Sequence, residues 1–526
     1  MGTLWWNGTF FTMNAENETV EALYVEDGII KGSGKKRNLE NTYPIKKLVD
    51  VQGAFVYPGF VDSHLHMIGH GEKLIRLDLS TMNSSDEMKR ELKESVAKTG
   101  KEEWVLGEGW NENNFFDRKL FHREELDDIA PNHPMFLTRI CRHAALVNSS
   151  ALKIAGITRN TPNPEGGLIV KDLKGEPTGY LLDAAMDLVK SKIPAVSQAY
   201  VQHALEKSVD DMVRHGLVGG HTEDLHYYNG FIQTLDAFKT VIDGKNRKFR
   251  AHLLVHHEEI TQMKKEGYSM GDVTSCIELG AMKIFADGAL GGRTAYLSSP
   301  YTDDPSTSGV AMHTVKQLEK LIQQAREVGM PVAIHVIGDA ALEMALDVIE
   351  ENPVKKGRDR LIHVQVVRED LLERMLNLPL VLDIQPRFVA SDFPWVQERL
   401  GEQRLPYSFA WKTLLNKGLH CAGGSDAPIE PVNPLLGIHA AVTRKKPGEH
   451  MSYFLKQSLT MFEAIQLFTS GSAWAIGKEN RRGKLKEGYV ADFTVLNQNL
   501  FEVEPDELLQ TKVVMTVIDN TIMYQN

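Results

Sequence analysis

Between residues 55 and 423 the chain alternates short apolar runs with amphipathic helical patterns, and this constrains its fold more than any other feature. The runs cover 55–61, 217–221, 250–256, 281–286, 332–336, 361–366, 380–384 and 420–423. Apolar runs of this length, separated by helical segments, read as buried parallel strands. Val201, Ala204, Leu205, Val209, Met212 and Val213 make one helical stripe; Leu318, Leu321, Ile322, Ala325 and Val328 make another. Eight strands with intervening helices predict an α/β fold, a (β/α)8 TIM-type barrel over 55–479, with its chemistry just after the strand ends.

Both termini speak a different language. The first fifty residues alternate as an antiparallel unit, and strand patterns return at 483–485, 491–496 and 513–518. One small composite β-sandwich domain, 1–54 plus 480–526, is the expectation. The interval 67–200 is too long for one strand–helix connection and predicts a large insertion after barrel strand one, a cap over the mouth. It carries the aromatic patch Trp104, Trp110, Phe115 and Phe116. Residues 303–309, with Asp303-Asp304-Pro305 and Gly309, read as a mobile loop.

Composition narrows the function classes. The chain has 526 residues and a net charge of −11, from 59 Lys+Arg against 70 Asp+Glu, which argues against nucleic-acid binding. Its basic runs, at 35–37 and 245–248, read as solvated turns. Three scattered cysteines form no disulfide framework and read as buried small hydrophobes. No signal-peptide pattern opens the chain, and no uncharged apolar run approaches the ~18 residues of a membrane span. The expectation is a cytoplasmic protein with a small-molecule partner and no membrane; a homodimer is allowed but not required. Gly216 to Gly220 lacks the spacing of a dinucleotide-binding loop.

The strand ends carry the chemistry. His64 and His66 are two residues apart on an extended segment and share a face. Neutral imidazoles are common metal ligands, but with 19 histidines accidental neighbours such as His221 and His226, or His256 and His257, are expected. Lys283 lies inside an apolar strand, where an unpaired ammonium is costly. His335 and His363 sit in two further apolar strands, and Asp426 ends the last. Any one of these reads as a satisfied core residue; six together at strand ends read as a site.

The order HxH, Lys, His, His, Asp resembles the amidohydrolase superfamily. Within it the chain resembles the YtcJ-type branch, which includes N-substituted formamide deformylases. The resemblance spans nearly the whole chain and rests on PGFVDSHLH, RHAALVNSSAL, EGGLIVKDLKGEPTG, MKIFADGALGGRTA, HVIGDAA, GSDAPI and GKLKEGYVADFTVL. It implies that His64 and His66 ligate the more buried metal and that Lys283, often carboxylated by CO2 in this superfamily, bridges two ions. His335 and His363 would ligate the second metal, and Asp426 would contact the metal-bound water. One or two divalent ions per subunit, zinc by preference, and N6-carboxylation of Lys283 follow from the same resemblance.

The implied activity is metal-dependent hydrolysis of a non-peptide carbon–nitrogen bond, an amide or N-substituted formamide, with Asp426 as general base and then acid. A deaminase, lactonase or esterase on the same metal site is one alternative, and a non-catalytic metal-binding or regulatory protein another. His143, His221, Trp110 and Arg293 are candidates for substrate or outer contacts, and Asp287 and Asp339 for orienting ligands or loops. Two strings depart from the family pattern: Leu361-Ile362-His363 replaces a usual RIEH, and Gly109-Trp110-Asn111 a usual GWD.

Overall fold

The computed structural model describes residues 2–100, 103–139, 144–164, 166–194 and 196–526, and divides into two compact units. The larger joins the chain up to Gly71 with Gln198–Asn526; the smaller is Glu72–Ser197. Within the larger unit, eight parallel strands follow one another in sequence order around a barrel. They are β1 (Phe60–Leu65), β2 (Leu217–Thr222), β3 (Arg250–His256), β4 (Ile277–Phe285), β5 (Val332–Val336), β6 (Asp359–His363), β7 (Leu380–Ile384) and β8 (Cys421–Gly423). Every residue of these strands is buried except Val61, Arg250, Phe285 and His335, which are half-buried, as expected of parallel strands covered on both faces. The Gln198–Arg214 helix turns Val201, Ala204, Leu205, Val209, Met212 and Val213 inward. The Val315–Glu327 helix buries Leu318, Ile322 and Ala325 and starts at a capping box of Thr314 and Gln317.

Among the described residues no strand pairing joins β8 to β1, and the seam closes through single hydrogen bonds instead. Asp426 N–H donates to the His64 carbonyl at 2.7 Å, and His66 N–H to the Ala427 carbonyl at 2.8 Å. The buried Asp62 carboxylate accepts from Ser425 Oγ at 2.6 Å and from the backbone N–H of Ser425 and of His64 at 3.1 Å. Gly424 is required here, because a Cβ would stand 2.6 Å from His64 N.

The run expected as one strand over 55–61 is two. Phe55–Pro58 pairs with Thr9–Phe10 and Phe493–Leu496 in the terminal sheet, whereas Phe60–Leu65 enters the barrel. Gly59 makes the break, since a Cβ there would lie 2.4 Å from the Val218 side chain. The terminal β region thus extends past residue 54. It is a single eight-stranded sheet of mixed direction rather than purely antiparallel, and it forks at Thr3–Phe11, which pairs in parallel with both Lys47–Asp50 and Phe55–Pro58. Trp5, Phe10, Leu23 and Phe493 pack on one of its faces, Leu4, Ala22, Tyr24 and Leu39 on the other.

The smaller unit has its own six-stranded sheet, with separate cores around Leu79, Trp110 and Leu137 and around Phe136, Val147 and Leu181. The expected mobile loop is pinned: Asp303 pairs with Arg293 and Arg399, and Leu297 and Tyr301 N–H donate to the Ser308 and Thr307 carbonyls. Cys276 and Cys421 are buried free thiols; Cys141 lies outside the described residues. Among the described residues no helix is long and apolar enough to cross a membrane.

Candidate metal centre

The C-terminal strand ends surround an open-mouthed pocket of about 490 Å³, and its lining includes His64, His66, Lys283, His335, His363 and Asp426. His64 lies in β1 and His66 one residue beyond it. Lys283, His335 and His363 come from β4, β5 and β6, and Asp426 follows β8. Ligand atoms of His64, His66 and Asp426 fall within 4.8 Å of one another. Asp426 Oδ1 is 3.6 Å from Nε2 of both His64 and His66. The His335 and His363 rings stand 4.5 Å apart, and His363 and His64 5.5 Å.

The tautomers follow from the partners. His66 Nδ1–H donates to the Glu223 carbonyl at 2.8 Å, which leaves the lone pair on Nε2. His335 Nε2–H donates to the Gly288 carbonyl at 3.0 Å, which leaves it on Nδ1. His363 Nδ1 donates to Gln385 Oε1 at 2.7 Å, and the amide is oriented because its Nε2 donates to the Asp383 carbonyl. Each ring is therefore a fixed neutral donor, as metal-ligating imidazoles held by outer acceptors are. Nδ1 of His64 is buried without a hydrogen-bond partner among the described residues.

Burial dominates the titration of the group. It pushes His64 and His363 far down, His66 to about 4 and His335 to about 3, and the nearby Lys283 ammonium adds to the shift in all four. Neutral rings are the state that binds metal. Burial also lowers Lys283, against the pull of Glu223 and Asp426. It raises Asp426 to about 7, against the pull of Lys283. His363 and Asp426 have φ of 77° and 57°, left-handed conformations that are costly for side-chain-bearing residues. The donor set fits a divalent cation: neutral nitrogens, one carboxylate and a buried lysine in one concave space.

The remaining candidates fall elsewhere. Trp110 is 1% exposed in the core of the smaller unit, where its Nε1–H donates to the Leu137 carbonyl. Within the larger unit Phe285, Phe388 and Trp395 form the apolar wall of the pocket. Asn111, where the string departs from GWD, caps a short turn and accepts from Arg139. His221 lies deeper in the barrel, its ring 5.0 Å from His252 and its Nδ1 3.4 Å from Arg360, rather than in the pocket lining. Arg293 is spent on Asp303 at 2.8 Å. Asp287 accepts from the backbone of Ile337, Gly338 and Tyr296, and Asp339 from Ser298 while pairing with Arg368; both organise loops beside His335. His143 lies outside the described residues. Asp62, Glu223 and Gln385 were not anticipated from sequence; a polar residue at or just past an apolar barrel strand was the signal for each.

A near-closed parallel barrel with imidazoles, a lysine and an aspartate at its strand ends defines a class of barrel hydrolases. Residues 47–524 match the amidohydrolase family, and the chain belongs to it. It is 51% identical to YtcJ of Bacillus subtilis (strain 168), a protein provisionally named an amidohydrolase, over the full length of both. It is 26% identical to the N-substituted formamide deformylase of Arthrobacter pascens, over 99% of this chain and 97% of that one. An uncharacterized metal-dependent hydrolase from Pyrococcus horikoshii OT3 superposes with a TM-score of 0.80 at 29% identity, over 96% and 99% of the two chains.

Proposed function

We propose that the protein hydrolyses a non-peptide carbon–nitrogen bond, an amide or N-substituted formamide, at a divalent metal centre with zinc as the preferred ion. The observation that carries this is the set of three imidazoles whose outer nitrogens are held by oxygen acceptors while their lone pairs stay available in one pocket. His64 and His66 would hold one ion and His335 and His363 a second, with Lys283 between them as a carboxylated bridge. A bound ion supplies Lewis acidity, bringing water toward a pKa of about 7 and polarising the carbonyl.

The chain's own residues do the rest. The Asp426 carboxylate accepts a proton from the attacking water and returns it to the departing nitrogen. Its position is fixed by its own N–H on the His64 carbonyl, so both transfers occur without reorganising the backbone. Phe285, Phe388 and Trp395 keep bulk water from the acyl group. Lys283 makes no ion pair among the described residues, and its depressed pKa raises the fraction of neutral amine that CO2 requires.

The test is a screen of metal-stripped, zinc-reloaded protein against N-substituted formamides, acyl amides, lactones and amino-heterocycles. Zinc-dependent release of amine from a formamide or amide supports the reading. Turnover confined to lactones or amino-heterocycles, or none that zinc restores, overturns it. Lys283→Ala should lose at least one metal equivalent by elemental analysis, with partial recovery on adding a short carboxylic acid; unchanged metal content would remove the bridging role.

A further inference from the structure

Beside the metal centre, the same pocket holds polar groups that the chemistry proposed for it does not use. Gln365, on the segment just past His363, lines the pocket and is 3% exposed. Its backbone carbonyl accepts from Phe409 N–H at 2.8 Å, but its side-chain amide has no hydrogen-bond partner among the described residues. Buried amides are normally satisfied, so a donor and an acceptor are held in reserve for something in the pocket.

The second group is a pair of carboxylates. Asp392 ends the Phe388–Asp392 helix that follows β7, Glu430 lies beyond Asp426 after β8, and both line the pocket. Glu430 is 7% exposed and accepts from Arg387 Nε–H at 2.8 Å. Asp392 is half-buried and has no cationic partner among the described residues; its polar contact is a long hydrogen bond from Ser391 Oγ at 3.5 Å. Burial, and then the charge of Glu430, push Asp392 up to about 7. Arg387 thus answers one carboxylate of the two. The other is an anion whose cost a cation in the pocket would remove. Phe388 and Trp395, from the same helix and the next, give this side of the pocket an apolar wall.

We propose that the β7–β8 side of the pocket is a subsite for a cationic group on the substrate, an ammonium or guanidinium carried on an apolar stem. Asp392 and Glu430 are its counter-charges, Phe388 and Trp395 lie along the stem, and Gln365 pairs with the substrate's own amide. In a formamide only the nitrogen substituent can extend so far, so the cation belongs to the amine that is released. The inference rests on the amide hydrolysis proposed for the pocket and narrows its substrates to those with a basic amine half.

The experiment uses the zinc-loaded full chain and formamides of guanidinoalkylamines of graded chain length, each against its neutral ureido isostere. A guanidinium stays charged at every working pH, so charge is the variable. At the best length the guanidino substrate should be favoured about 10–100-fold in kcat/KM, the worth of hydrogen bonds to a charged partner. Asp392→Asn should cut that preference about tenfold, and Asp392→Glu should recover part of it. Parity between the two series at every length, or a preference that Asp392→Asn leaves intact, overturns the subsite while amide hydrolysis stands. If neither series is turned over, calorimetry with alkylguanidinium and alkylurea probes decides the subsite separately from the reaction. Guanidinium binding at least about tenfold tighter, and weakened by Asp392→Asn, supports it; equal binding, or none, overturns it.

Discussion

The strand ends of the barrel and its deeper interior both bury charge, and they differ in how that charge is partnered. Deep in the barrel the ions are paired. Arg360 donates to Asp383 at 2.7 Å and to the Ser63 carbonyl at 2.6 Å, and Glu278 lies 3.3 Å from both Arg482 and Lys478. At the strand ends His66, His335 and His363 each have one nitrogen occupied and one in reserve, and Lys283 has no ion-pair partner among the described residues. Buried charge alone is therefore a poor mark of a site. Donor capacity held open against its electrostatic cost is the better one.

That contrast is broken most directly at its two centres. Asp426→Asn should cut kcat by about 10²–10⁴-fold, the usual contribution of a general acid–base group, with little change in unfolding free energy. Arg360→Met should do the reverse, costing about 3–5 kcal/mol in denaturant unfolding because Asp383 is left as an uncompensated buried charge. An Asp426 variant that lost stability but kept turnover, or an Arg360 variant of unchanged stability, would erase the distinction.

The sequence made the eight strands legible because fully buried parallel strands leave uninterrupted apolar runs, and a lysine, histidine or aspartate inside such a run stands out. It placed His64, His66, Lys283, His335, His363 and Asp426 at strand ends, and the structure puts all six around one pocket. Two kinds of feature were hidden. Partners across strands, such as Gln385 on His363 or Asp62 on Ser425, depend on register, which a single strand does not reveal. Trp110 and His221 were hidden differently: aromatic and imidazole side chains serve cores and pockets alike, and only their neighbours decide which.

A finer probe of the deep network is its response to acid. Burial alone would raise Glu278, but His252, Arg482 and Lys478 outweigh it and bring it from an ordinary 4.5 to about 2. A carboxylate depressed in the folded state contributes stability above its unfolded pKa and loses it as pH falls through its folded pKa. Wild type should therefore lose stability on acidification between about pH 4.5 and 2 in a part that Glu278→Gln lacks, and the variant should be weaker by about 1.5–3 kcal/mol at neutral pH. Parallel pH profiles for the two proteins would show Glu278 to be uncoupled from those cations.

The smallest effect expected is at Gln385, and it tests the strand-end half of the comparison on its own terms. Gln385 is tied to the pocket centre through His363, whose Nδ1–H it accepts at 2.7 Å while its amide is fixed on the Asp383 carbonyl. Removing that acceptor leaves the ring its one ligating lone pair but no longer fixes which nitrogen carries it or how the ring is turned, so the ring must be ordered when a metal arrives. Gln385→Ala should weaken zinc binding by about tenfold, the low end for loss of an outer partner, without abolishing it. Gln385→Glu should restore or strengthen binding, since a carboxylate accepts the same proton. If Gln385→Ala bound zinc as tightly as wild type, the reserve at His363 would be a consequence of packing alone, and the line between the two halves of the barrel interior would have to be drawn without it.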